Sequence, residues 1–438
     1  MRIVIGVVVS CLLGVALAEE YPIGCWTFVR QEQSRSPEQV VRDWKDLGLT
    51  HPMSPEVGLK SDKAYLRRML DLCAREGLKL IVHDARVHLS NAVRTGIVRD
   101  DAAYRRDVAA AAADWAQHPA FAGFHLYDEP NKSHHAALFR AVKVVREAIP
   151  ERICFLNLLP WYQWIGKVVG AADCASYLDM MAQETGLDLF CYDLYDHADE
   201  DTGEGKGQNL YFENLRERMA FVRRNPGKGF WYSPICLDQH TRRIRSQEMI
   251  RWQLTTAAAM GARGVMWYFL EMPHMNRNVR HMPINIFGER TENFRWLSEE
   301  NRVFQHQFGS EFMRLSIEDA RLLNADCGGL RPFEPDADIL GAETWGEKKP
   351  VLMSSFRDAD GVRYLALVNL LRDRSAHLTL WLGEGVSVLN RNWDRTYGKI
   401  SAEADPALAR RFGSGRLSTV AFDFAAGQLY LVKLVRSK

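Results

Sequence analysis

Two features of this 438-residue sequence predict a (β/α)8 (TIM) barrel followed by a C-terminal antiparallel β-sandwich. From about residue 21 to 271, short β-branched or aromatic runs alternate with amphipathic helical segments; from about 318 onward the pattern changes to short period-two runs separated by turns. Eight strand candidates occupy the first region, at 23–28, 50–54, 79–84, 122–128, 153–159, 187–193, 229–235 and 264–269. Their starts are spaced by about 34 residues, the length of one β-α unit, and eight such units close a barrel. A doubly wound open sheet uses the same units, but it would place a Gly-rich phosphate turn after the first strand, where Trp26-Thr27-Phe28-Val29-Arg30 has no glycine.

The helices between the strands have readable ends. Ser36-Pro37 supplies an N-cap and a first-turn proline, Val40, Val41, Trp44 and Leu47 form an apolar stripe, and Gly48 stops the helix. Leu66, Met69, Leu70 and Cys73 recur at helical spacing before Gly77, and Tyr104, Val108, Ala111, Ala112 and Trp115 repeat the pattern. A further helix runs from about Ile250 to Met260, and another passes through Trp296, Phe304 and Phe312. The later strands are expected at 339–344, 351–356, 363–370, 377–382, 386–390, 419–424 and 428–435, with a hairpin turn at Asp358-Ala359-Asp360-Gly361. The expected division is a signal peptide at 1–18, a barrel at 19–317 and a sandwich at 318–438.

The signal reading rests on Arg2, an apolar stretch from Ile3 to Val15, and Ala16-Leu17-Ala18 ahead of Glu19. It implies a secreted or periplasmic mature chain; a lipoprotein reading through Val8-Val9-Ser10-Cys11 leaves a very short apolar stretch. No later stretch is long and apolar enough for a membrane span. Fifty-six Lys and Arg balance 55 Asp and Glu, for a net charge of +1, which gives no basic field for nucleic acid. The seven cysteines after the signal are odd in number, scattered and without CxxC, so they read as small packed side chains rather than a disulfide framework.

In a barrel, functional residues gather at the C-terminal ends of the strands. Those ends carry Trp26, Arg86, Tyr127-Asp128-Glu129-Pro130, Tyr192-Asp193, Tyr232, Trp267-Tyr268 and Glu271, with Asp238 a little beyond the seventh. Carboxyl groups and aromatic rings on several ends suit glycosidic cleavage: one acid protonates the leaving oxygen while a second group stabilises or captures the oxocarbenium-like centre, and rings stack on sugar faces. This selects Glu129, Asp128, Glu271 and Asp238 as catalytic candidates. Trp26, Arg86, Tyr127, Tyr192, Asp193, Tyr232, Trp267 and Tyr268 become candidates for substrate binding. Trp267 and Tyr268 are neighbours on a strand, so only one of them faces the barrel interior.

The Tyr127-Asp128-Glu129-Pro130 run resembles the fourth-strand acid of (β/α)8 glycoside hydrolases, and the Asp-Glu pair is similar to that of β-hexosaminidase families 20 and 123. The first resemblance implies Glu129 as general acid/base. The second implies that Asp128 orients the substrate's own acetamido group as nucleophile. Arg363-Tyr364-Leu365-Ala366-Leu367-Val368-Asn369 and Gly427-Gln428-Leu429-Tyr430-Leu431 also resemble the accessory sandwich that follows such barrels. The retaining barrel clan has Asn before the acid and a Glu nucleophile on strand seven. Here Asp128 precedes Glu129, and strand seven offers only Asp238.

Structural roles compete with each of these. Asp128 and Glu129 could cap a helix, Glu271 could pair with an arginine of 272–290, and Asp193 and Asp196 could cap the loop that follows them. His83, His125 and His197 have neither HxH nor HExxH spacing, so no metal and no cofactor is expected. The segment from Met272 to Arg290 is long for a βα connection and should lie over the cleft. Its Arg277 and Arg280 would either neutralise Asp193, Asp196 and the acidic run Asp199-Glu200-Asp201 or hold a sulfate or uronate, which makes the expected partner a carbohydrate, neutral or anionic. A barrel that binds glycans without cleaving them, and a metal-dependent barrel hydrolase, are the other two function classes.

Overall fold

The computed structural model describes residues 20–27, 29–58, 61–201, 204–272, 274–404 and 418–437. The expected signal segment lies outside them. Seven parallel strands form one curled sheet: β1 (Ile23–Cys25), β2 (Leu80–Val82), β3 (Phe121–Asp128), β4 (Ile153–Leu158), β5 (Leu189–Asp193), β6 (Gly229–Ser233) and β8 (Val265–Trp267). Their order is β1-β8-β6-β5-β4-β3-β2. β7 (Asp238–Gln239) and β9 (Val279–Arg280) form a separate antiparallel pair on the rim.

The expected strand at 50–54 is not a regular strand, yet it closes the barrel between β1 and β2. Met53 N–H donates to the Cys25 carbonyl (3.1 Å) and Ser54 N–H to that of Ile81 (2.9 Å), while the Pro52 carbonyl accepts from Ile81 N–H (2.9 Å). Pro52 has no N–H of its own to give, which interrupts the ladder. The close packing of β3 against β4 depends on Gly123, where an added Cβ would lie 1.9 Å from the Ile153 carbonyl oxygen.

Helices cover the outside, including Pro37–Asp46, Lys63–Glu76, Ala102–Trp115, His135–Ala148, Cys174–Thr185, Glu204–Arg224 and Gln247–Ala259. The expected ends are present. Ser36 forms a capping box with Gln39 ahead of Pro37, and Gly77 ends its helix at φ 76°, a left-handed conformation that suits glycine. Leu66, Met69, Leu70 and Cys73 are buried together. All seven described cysteines are free thiols.

The second domain begins with β10 (Ser316–Leu323), a strand the sequence pattern did not reveal. It continues through β11 (Arg331–Pro332), β12 (Ile339–Thr344), β13 (Val351–Arg357), β14 (Arg363–Asn369), β15 (Ala376–Leu382), β16 (Val386–Arg391), β17 (Tyr397–Lys399), β18 (Glu403–Ala404), β19 (Ser418–Phe424) and β20 (Leu429–Arg436). One sheet runs β11-β10-β13-β14-β20-β16-β17 and the other β12-β15-β19-β18. Pairing is antiparallel except between β10 and β11.

Strand alternation gives the larger sheet two buried faces. Leu352, Tyr364, Ala366, Val368, Leu429 and Leu431 join the barrel's core, whereas Val351, Met353, Leu365, Leu367, Val432 and Leu434 pack against the second sheet. The helix Gln247–Ala259 sits at the junction. Trp252 Nε1 donates to the Leu370 carbonyl (3.0 Å), Thr255 Oγ1 to that of Gly427 (2.9 Å) and Arg251 Nη1 to that of Ala426 (3.0 Å).

Because Trp252 is fully buried between the two domains, they should unfold together. Trp252→Ala should cost about 3–5 kcal/mol in urea denaturation, with wild type showing one transition by both tryptophan fluorescence and far-UV circular dichroism. Two separate wild-type transitions would contradict this account of the junction.

Candidate active site

The site is set by a register shift in β3. His125 pairs opposite Phe155, Tyr127 opposite Leu156 and Asp128 opposite Asn157, so β3 carries one residue more than β4 over this stretch. Without that bulge, alternation would place Tyr127 opposite Asn157. With it, Asp128 takes the inward position, and Tyr127 turns against the rings of His88 (5.2 Å) and His134 (5.1 Å). Glu129 follows at φ 52°, a left-handed conformation uncommon for a residue with a side chain, and its N–H donates to the Asn157 carbonyl (3.0 Å).

Asn157 Nδ2 donates to both Asp128 Oδ1 (2.9 Å) and Asp193 Oδ1 (2.7 Å), so one amide ties the acids of β3 and β5 together. Asp128 and Glu129 open to solvent, but protein surrounds them on most sides. Burial in the cleft, with Asp193 and then Asp128 nearby, pushes the Glu129 carboxyl up to about 8, against a smaller opposing effect of Arg242. Burial and then Asp193 push Asp128 up to about 6, with the Asn157 hydrogen bond opposing. Burial also raises Asp193. Glu129 is therefore poised to hold a proton at neutral pH, as a general acid must.

Several side chains completing this cluster were not among the expected site residues. Asn157 is one. Arg242 is the cation of the cluster; it lies 5.3 Å over the Tyr195 ring and donates to Gln239 Oε1 (3.0 Å). Gln239 in turn donates to the Tyr268 hydroxyl (3.0 Å), and Tyr268 packs 5.2 Å from Tyr195. Tyr162 donates to Asp196 Oδ2 (2.9 Å) and stacks at 12° on Trp164, which is 65% exposed. The run Trp161-Tyr162-Gln163-Trp164, just past the fifth predicted strand, was the available sequence signal for this platform.

Several expected site residues lie elsewhere. Tyr192 and Tyr232 face the helix layer: Arg218 lies 3.5 Å over the Tyr192 ring, and Tyr232 donates to the Leu194 carbonyl (2.8 Å). Trp267 also faces outward, donating to Asn301 Oδ1 (3.0 Å), which leaves Tyr268 as the cleft residue of that pair. Trp26 is buried in the barrel, with Nε1 on Ser233 Oγ (3.0 Å) and its ring edge against His125 (5.4 Å). Arg86 is a strut, gripping Asp84 (2.7 Å) and Asp114 (2.8 Å).

The other two candidate acids are already engaged. Asp238 is buried, accepting from Ile244 N–H (2.9 Å) and contacting His281 Nδ1 (2.9 Å). Glu271 pairs with Arg35 (2.8 Å), which also pairs with Asp43 (2.7 Å); the partner is thus an arginine of the β1 loop and not of 272–290. Within that segment, Val279–Arg280 pairs with β7, Arg290 bridges to Asp43 and Asp46, and Arg277 and Arg280 are exposed. His197 is packed between Tyr211 (4.8 Å) and Trp252 (5.5 Å), apart from His83 and His125, whose rings are 4.6 Å apart.

No protein-family model matches the chain, and no curated protein matches it in sequence. Its fold is that of solved glycoside hydrolases. A glycoside hydrolase family 5 protein from Bacteroides vulgatus is similar with a TM-score of 0.56 at 10% identity, over 95% of this chain and 89% of that one. Another structure described as a glycoside hydrolase gives 0.54 at 10% identity, over 95% and 93%. A β-galactosidase from the psychrophilic Marinomonas ef1 matches at 0.45 and 13% identity, over 64% of this chain and 59% of that longer one, less than two thirds of its length.

The raised Glu129 carboxyl has a stability consequence. A group whose folded pKa lies above its unfolded value loses its contribution as pH rises between the two, here from about 4.5 to about 8. Glu129→Gln should therefore gain stability relative to wild type on going from pH 5 to pH 8. A melting-temperature difference that is flat across this range would show that Glu129 ionises normally.

Proposed function

We propose that this chain is an exported glycoside hydrolase in which Glu129 is the general acid. The observation that carries the reading is the Asp128-Glu129 turn itself. It is a strained turn at a strand's C-terminal end, joined through Asn157 to a third acid, Asp193. A sugar stacked on Tyr162, Trp164 or Tyr268 would bring its glycosidic oxygen to Glu129. Proton transfer to that oxygen releases the leaving group, and the carboxyl groups of Asp128 and Asp193 stabilise positive charge at the anomeric carbon.

Substrate assistance is the form of retention the engaged acids favour. The end of β6 carries Ser233, and the Asp238 that follows is buried and paired. Neither offers a free carboxylate for direct displacement. Asp128, fixed by Asn157, would orient a 2-acetamido group whose carbonyl oxygen attacks the anomeric carbon. The exposed Arg277 and Arg280 would meet an anionic substituent further along the glycan. The leader Arg2 to Ala18 would place this activity outside the cytoplasm, with Glu19 as the mature N-terminus.

A panel of chromogenic 2-acetamido and 2-hydroxy glycosides tests the reading. Glu129→Gln should lower turnover by roughly 10²-fold or more on poor leaving groups, less on activated ones, and should abolish the fall in kcat/KM as pH rises through about 8. Wild-type activity in that variant on a natural glycan refutes the assignment. Asp128→Asn should inactivate the enzyme toward 2-acetamido sugars; trapping a covalent glycosyl adduct on any carboxylate excludes substrate assistance. Binding without turnover across the panel would indicate a glycan-binding barrel. Equal affinity for sulfated and neutral glycans at low and high salt removes the anionic substituent.

A further inference from the structure

We propose that His83, His88 and His125 form a binding site for one divalent transition-metal ion, with zinc the best fit, in the barrel wall next to the acid turn. Three elements converge there: His83 follows β2, His88 precedes the helix Leu89–Arg94, and His125 lies on β3 ahead of the bulge. One potential ligand nitrogen from each lies within 4.8 Å of the other two. Nitrogens sharing a tetrahedral zinc, at Zn–N of 2.0–2.1 Å, are about 3.4 Å apart. Ring movements of about 1 Å or less would close the gap.

The second observation is the state of the nitrogens. Nδ1 of His83 and both ring nitrogens of His125, which is 3% exposed, are buried without a hydrogen bond of good geometry, the Tyr127 backbone being the polar group that acts on the His125 ring. Buried polar groups are ordinarily paired, and a packed histidine usually spends at least one nitrogen on a partner. Here the rings face each other at 4.6, 5.5 and 5.7 Å. His88 accepts one long bond at Nδ1 from Ser90 N–H (3.3 Å), and coordination through either nitrogen would give up only that. An all-imidazole set suits zinc and its first-row neighbours, whereas calcium and magnesium require oxygen ligands. Three histidines leave a fourth position for water, and the partly exposed His88 lies on the route from solvent.

The test uses the full chain, stripped with a chelator and titrated with Zn²⁺ by calorimetry and with Co²⁺ by visible absorption. One equivalent of each ion should bind, with cobalt producing ligand-field bands, and zinc should raise the melting temperature. His125→Gln should weaken binding by at least about 100-fold, exceeding the loss expected for an outer-shell partner. His88→Asn should do the same while keeping a side chain able to cap the helix, so it decides the matter if His125→Gln fails to fold. Absence of stoichiometric binding by folded wild type, or unchanged binding in a folded variant, overturns the site. Every readout is independent of glycosidase activity.

Discussion

The arrangement of the cleft depends on one extra residue in β3. In a regular parallel pair, side chains alternate strictly, so the face that receives His125 would next receive Tyr127. The register shift between His125 and Tyr127 moves that position to Asp128, opposite Asn157. Everything else in the cluster follows from this. Asp128 comes within reach of the amide that also holds Asp193, and the chain leaves the strand through Glu129 in a left-handed conformation. Removing the bulge would turn Asp128 toward the helix layer without changing any residue of the site.

Electrostatics then separates the acids by role. Asp238 and Glu271 are each engaged by other partners: Asp238 has His281 and the Ile244 N–H, and Glu271 has Arg35. Asp128, Glu129 and Asp193 share a protein-walled pocket with Arg242 as the nearby cation. Three carboxylates cannot all ionise cheaply there, so a proton is retained, and Glu129 is raised furthest of the two with a resolved value. A site that retains a proton at neutral pH while neighbouring carboxylates remain available to stabilise positive charge is suited to acid catalysis.

What could be read from the sequence divides along the same lines. Helix ends such as Ser36-Pro37 and Gly77 were legible because capping is a local interaction. The strand at 363–369 was legible because both its faces are buried, which leaves a nearly continuous apolar run. That same property hid direction inside the barrel. Tyr192 and Asp193 sit at one strand end, and nothing in their order says that the tyrosine faces helices while the acid faces the cleft. Arg242, Tyr162 and Trp164 come from loops whose path is set by tertiary packing. The histidine trio was missed because its members are joined through space: His88 replaces His197 as the third partner, and no spacing rule connects it to His83 and His125.

The sandwich bears on the cleft through the helix Gln247–Ala259. One side of that helix is fixed to the second domain by Trp252, Thr255 and Arg251. Its Gln253, fully buried, grips both backbone polar groups of Ile235, accepting from the N–H (3.0 Å) and donating to the carbonyl (3.0 Å). Ile235 lies between the end of β6 and β7; β7 supplies Gln239 and the turn after it Arg242, the groups that hold Tyr268 and lie near the acids. The rim that carries the cleft's cation is therefore anchored on a helix whose other side is sandwich interface. The second domain belongs to the framework of the site even though, among the described residues, none of its strands reaches the acid cluster.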